Sequence, residues 1–125
     1  RDGDGLMTQD TLPVLIADIN AGEWAAHSRF RGIYVKRLLA STDNALASVN
    51  VVRVPPGGVI GRHQHPAQVE TVYVLAGQSI LTLDQTDAPF NAGQVAAIPM
   101  ALEHALRNEG SEMVELLTFF TPPLT

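Results

Sequence analysis

"GRHQHPAQVETVYVLAG", Gly61 to Gly77, is the stretch that decides the fold. Two histidines one residue apart lead through a proline to a glutamate, then to an apolar run closed by glycine. Residues two apart in a strand share a face, so His63 and His65 project together, their Cα atoms about 6.5–7 Å apart. Both imidazoles can then converge on one ion, about 2.1 Å from each ring nitrogen. Glu70, five positions beyond His65, would face the other way on a straight strand. Pro66 cannot donate to a strand ladder and belongs at a strand end or bulge, so the chain is expected to break there and resume with its phase shifted. Glu70 then turns inward beside the histidines, Val72 and Val74 continue that face, and Tyr73 points the opposite way.

Short β-type runs flank this stretch on both sides, separated by Gly, Pro, Asn or Asp. "GIYVKRLLA" and "ALASVNVVRV" precede the turn "PPGG" (Pro55–Gly58), and "VIGRHQH", "ETVYVLAG", "SILTLD", "QVAAIP", "HALRN" and "EMVELLTFFT" follow it. Such spacing predicts an antiparallel all-β sandwich or small barrel. Helix signals are confined to Asp18–Phe30, where Gly22 and a mixed pattern allow a turn or two. The last run is apolar on both faces: Met113, Leu117 and Phe119 on one, Val114, Leu116 and Phe120 on the other. A strand apolar on both faces is covered on both, which predicts a homodimer for so small a chain.

The 125 residues suffice for one domain with its own core. Residues 1–6, glycine- and aspartate-rich, read as a disordered tail or cloning remnant before a natural start at Met7, with 7–125 as the domain. A net charge of −5 leaves no basic footprint for nucleic acid or an anionic membrane. The absence of cysteine removes disulfides, thiolate metal sites and thiol nucleophiles together. No apolar run approaches the roughly 20 residues of a membrane span, so a cytoplasmic protein is expected.

A second stretch, "GQVAAIPMALEHALRN" (Gly93–Asn108), brings a third histidine, His104, to the start of another short strand. Three imidazoles and one carboxylate form a mixed N/O donor set suited to Mn, Fe, Ni, Cu or Zn. The two stretches together resemble the cupin superfamily. Gly57, His63, His65, Glu70 and Gly77 fill the first motif, G-x5-H-x-H-x4-E-x6-G. Gly93, Pro99, His104 and Asn108 fill the second, G-x5-P-x-G-x2-H-x3-N, with Ala101 where the family has glycine. The 15 residues between the motifs, Gln78 to Ala92, are similar to the short spacing of small single-domain cupins.

The resemblance implies a double-stranded β-helix, or jelly-roll barrel, with His63, His65, Glu70 and His104 as ligands of one divalent first-row metal ion in its mouth. A positive φ at Ala101 would cost about 1 kcal/mol, so the turn is expected to have relaxed to an ordinary conformation. Asn108 reads as a turn or backbone-bonding residue, His27 as a surface residue, and Trp24 and Tyr34 as covers for the barrel end. Cupins with this ligand set include dioxygenases, oxalate oxidases and decarboxylases, lyases and isomerases. The aliphatic residues near the ligands, and the scarcity of arginine beside the motifs beyond Arg53, Arg62 and Arg107, favour an uncharged small organic substrate. Dioxygenase-type oxidoreductase chemistry is the expected activity. A metal-dependent lyase or sugar/uronate isomerase, or a non-catalytic small-molecule binding module, is the alternative.

Overall fold

The computed structural model describes residues 14–125; the expectations for residues 1–6 and for Met7 lie outside them. Ten strands follow one another: β1 (Ala25–Ala26), β2 (Tyr34–Leu39), β3 (Ser48–Val54), β4 (Val59–His63), β5 (Val69–Ala76), β6 (Gln78–Leu83), β7 (Thr86–Asn91), β8 (Val95–Ile98), β9 (His104–Arg107) and β10 (Val114–Thr121). They form a six-stranded sheet of order β1-β2-β3-β10-β5-β8 and a four-stranded sheet of order β4-β9-β6-β7. All pairings are antiparallel. This two-sheet arrangement is the jelly roll expected from the motifs. Among the described residues no helix is long and apolar enough to cross a membrane. Asp18–Phe30 forms turns and β1 instead of helical structure.

Alternation along the strands builds the core. Val52 and Val54 of β3, Leu116 and Val114 of β10, and Val72 and Val74 of β5 point inward from the large sheet. Leu81 of β6 and Leu106 of β9 meet them from the small one. The chain passes from one sheet to the other at Gly77. Its φ of 90° and the approach of the Met113 carbonyl, 2.6 Å from where a Cβ would stand, leave room for glycine alone.

β10 behaves as its sequence suggests on its inner face, where Val114, Leu116 and Phe120 are buried. Its outer side chains Leu117 and Phe119 stay half-buried. Farther across the same outer face, Val51 is fully buried, and beside it Lys36 donates through Nζ to the Ile19 carbonyl at 3.0 Å. Trp24 lies here too, its ring 4.2 Å from the Arg53 guanidinium and 4.7 Å from Lys36 Nζ. Trp24 thus covers the outside of the large sheet and not the barrel end, and Tyr34 is exposed. Ile19 and Trp24 meet the outer face of this sheet, a long-range contact that strand patterning does not encode.

Candidate metal centre

His63 closes β4, His104 opens β9, and the two are ladder partners, so their side chains leave the small sheet side by side. His65 follows in the loop after β4. Beyond Pro66 the chain re-enters the large sheet as β5, whose second residue is Glu70. The phase shift expected at Pro66 therefore takes the form of a sheet change, and Glu70, Val72 and Val74 share the inner face while Tyr73 faces out.

One turn locks the two motifs together. The Leu102 N–H reaches the Pro99 carbonyl at 3.4 Å, and Ala101 between them adopts φ 65°. The expectation of a relaxed turn is wrong. In this conformation Ala101 donates its N–H to the His65 carbonyl at 3.0 Å, tying the His104 loop to the His63–His65 segment. That tie and the turn together hold alanine in a conformation that favours glycine.

The four side chains converge. Ring centroids stand 4.3 Å apart for His63 and His104, 4.9 Å for His63 and His65, and 5.5 Å for His65 and His104. Glu70 Oε1 lies 3.1 Å from His104 Nε2 and 3.6 Å from His65 Nε2. One donor atom from each residue falls within 4.8 Å of all the others. A six-coordinate ion with bonds of about 2.1 Å spaces opposite donors about 4.2 Å apart, so small rotations suffice to bring this set onto one ion.

The outward nitrogens are fixed as well. His63 Nδ1 lies 2.7 Å from the Gly61 carbonyl and His104 Nδ1 lies 2.9 Å from the Leu102 carbonyl. A carbonyl only accepts, so each Nδ1 carries the hydrogen and each neutral ring presents the Nε2 lone pair to the cluster. Burial pushes His63 and His65 below the usual imidazole range, towards the neutral form that binds metals. At His104 burial pushes the same way, but the Glu70 hydrogen bond and the Leu102 carbonyl outweigh it and raise the pKa. When protonated, His104 donates from Nε2 to Glu70; when neutral, it offers that same nitrogen to a cation. The cluster is thus able to hold a metal ion.

Above it opens a chamber of about 640 Å³. Val52, Val72, Leu81, Ile98, Leu106 and Leu116 line its walls. Phe30 stands 5.2 Å from the His63 ring and Phe120 4.9 Å from the His65 ring, bracketing the cluster with apolar surface.

The lining also holds residues that sequence patterning misplaced or missed. His27 is half-buried in the chamber wall, not a surface residue. Its Nδ1 accepts the Arg29 and Phe30 N–H groups at 3.0 and 3.2 Å, and burial together with Arg29 lowers its pKa. Arg29 and Arg37 line the chamber too. The three arginines beside the motifs do not: Arg53 pairs with Glu115, Arg62 with Glu103, and Arg107 with Asp87 and Glu109. The one available signal was Arg37's place in "YVKRLLA", where it shares strand parity with Val35 and Leu39. Without the register of β2, that signal cannot tell the inner face from the outer.

Asn108 has the backbone role expected of it. Buried, it donates through Nδ2 to the Val54 and Glu112 carbonyls at 2.9 and 2.8 Å and accepts the Gly110 N–H at 2.9 Å.

Comparison with known proteins agrees with this architecture. Residues 50–120 match the family profile described as Cupin domain. Protein SchB of Streptomyces halstedii is 36% identical over 97 residues, which is 76% of this chain and 70% of that protein. The oxalate-binding protein of Thermotoga maritima is 30% identical over 66 residues, 53% of this chain and 54% of its own length. The crystal structure of a predicted oxalate decarboxylase, also from Thermotoga maritima, superposes with a TM-score of 0.78 at 23% identity, covering 86% of this chain and 99% of the other. At that identity the likeness is one of fold.

Proposed function

Because the chain belongs to the cupin family, we propose that it is a metalloenzyme in which His63, His65, Glu70 and His104 hold one divalent first-row ion. The chamber above them takes a small organic molecule, for dioxygenase-type chemistry. The observation that carries this reading is the convergence of four donors at the base of an apolar-walled chamber. Three nitrogens and one oxygen leave one or two positions of a six-coordinate shell for substrate or small oxidant, the mark of catalytic sites over closed structural ones. When bound, such an ion supplies Lewis acidity and a template on which reactants are held together.

The chain's own residues supply the setting. Phe30 and Phe120 hold the imidazoles in place, the Gly61 and Leu102 carbonyls fix two of them by tautomer, and the valine and leucine walls exclude water from a bound substrate. A second reading is a metal-dependent lyase or isomerase indifferent to dioxygen. Arg29 and Arg37 favour it, because guanidinium groups in a chamber suit oxygen-rich, acidic substrates.

Elemental analysis of the purified chain, beside a His63→Ala, His104→Ala double variant, tests the reading. The expected result is about one first-row metal per chain, lost in a variant that remains folded. Oxygen uptake with enols, catechols or small diketones then supports the dioxygenase. Metal-dependent turnover without oxygen uptake supports the lyase or isomerase. No metal after incubation with Mn, Fe, Ni, Cu and Zn removes both and leaves a binding module.

A further inference from the structure

Apart from Glu70 at the cluster and Ser48, the polar side chains on the inner face of the large sheet stand in one row. Arg37 of β2 stands opposite Asn50 of β3, and Asn50 opposite Thr118 of β10. All three line the chamber. Thr118 is satisfied within the fold, its hydroxyl donating to the Asn50 carbonyl at 3.4 Å. Asn50 is not. The residue is only 8% exposed, yet no group among the described residues hydrogen-bonds its carboxamide. No buried side-chain nitrogen or oxygen among the described residues lacks a partner, so the Asn50 carboxamide is open to the chamber, where a ligand can reach it. Arg37 likewise has no carboxylate partner among the described residues, although Glu23 lines the same chamber.

We propose that Arg37 and Asn50 form a subsite for the carboxylate of an organic acid, whose other end lies at the His63–His65–Glu70–His104 cluster. A guanidinium offers paired donors matched to a carboxylate, and the Asn50 amide adds a third.

The register also sets the ligand's length. Glu70 and Arg37 lie on strands β5 and β2, with β10 and β3 between them. Three strand spacings are about 14 Å before either side chain extends. Oxalate, with its two carboxylate carbons directly bonded, is too short to engage both ends. Thr118 and Phe120 of β10 lie between them, with Val72 closing the Arg37 row and Val52 and Leu116 lining the next row of the same face. The ligand is therefore an acid with an apolar body of several carbons, such as an aryl-alkanoic acid. This rests on the chamber being the substrate site, as proposed above, but not on the ion being present.

Calorimetric titration of the full chain with 3-phenylpropanoate, its uncharged amide 3-phenylpropanamide, and oxalate tests the subsite, with metal content measured on every sample. The expected result is binding of 3-phenylpropanoate about ten- to a hundredfold tighter than the amide, the range of a hydrogen bond to a charged group. Arg37→Gln, a change at an exposed position, abolishes that preference and leaves the metal content unchanged. Asn50→Leu weakens the acid in the same sense. Equal binding of acid and amide, binding of neither, oxalate tighter than 3-phenylpropanoate, or a preference that survives Arg37→Gln overturns the proposal. Such a result with about one metal per chain leaves the metalloenzyme reading standing. A preference for the acid in a chain that takes up no metal does the reverse.

Discussion

Ala101 is the residue where family pattern and physical chemistry disagree, and the disagreement is measurable. Its φ of 65° is one that a Cβ disfavours by roughly 1–2 kcal/mol. Ala101→Gly releases that strain at some cost in unfolded-state entropy, so a net gain of about 0.5–1 kcal/mol is expected. Thermal unfolding checks it, with a rise of about 2–4 °C. Asn108→Ala works in the opposite direction. It removes both donations, to the Val54 and Glu112 carbonyls, along with the acceptor for the Gly110 N–H. A loss of about 2–4 kcal/mol is expected, seen as a lower urea midpoint with an unchanged slope. Single residues of this kind were legible in the sequence as positions, because the motifs fix their spacing. Their conformations were not, since a φ angle at Ala101 depends on a hydrogen bond to His65, 36 residues earlier.

Strands were legible in proportion to how apolar they are. β3, β5, β6 and β10 carry dense Val, Leu, Ile and Phe, and their sequences announce them. β7 went unread. "TDAPFN" contains Pro89, which removes a ladder donor, and its hairpin from β6 turns through Asp84 at φ 56° without glycine. The structure explains both. β7 is the edge strand of the small sheet, where an unpaired side tolerates proline. Its hold on the fold is Phe90, which reaches into the core and lines the chamber. Phe90→Ala is expected to cost about 3–4 kcal/mol, lowering the denaturation midpoint, with the loss of the chamber wall showing as weaker binding of any apolar ligand. If stability is unchanged, β7 contributes no anchor to the core.

For the whole molecule, the four proposed ligands were readable because they fall inside two motifs, whereas the polar half of the chamber was not. His27, Arg29 and Arg37 precede both motifs, and only the pairing of β1 and β2 with the large sheet brings them to the chamber. The homodimer read from β10 concerns the opposite side of that sheet. There Leu117 and Phe119 lie beside Tyr73, Leu75 and Val95, a patch with no charged side chain among these five. An uncharged patch meets its own copy without repulsion, and a second chain is its expected occupant. Light scattering is expected to give twice the 13.4 kDa chain mass, and Leu117→Asp to return it to one chain with the circular dichroism unchanged. A single-chain mass for the unaltered protein removes the dimer.

The donors also come from both halves of the fold: His63 and His104 from the small sheet, Glu70 from the large one, and His65 from the loop joining them. An ion held by all four is a rivet between two plates, and prising the plates apart means expelling it. Cohesion of the barrel is then coupled to the ion's concentration, by about 2.7 kcal/mol at a hundredfold excess over Kd. Stripping the ion with a chelator should lower the melting temperature by roughly 10 °C. Re-melting with each candidate ion in turn would rank them by grip, so heat alone can question this site before any substrate is known.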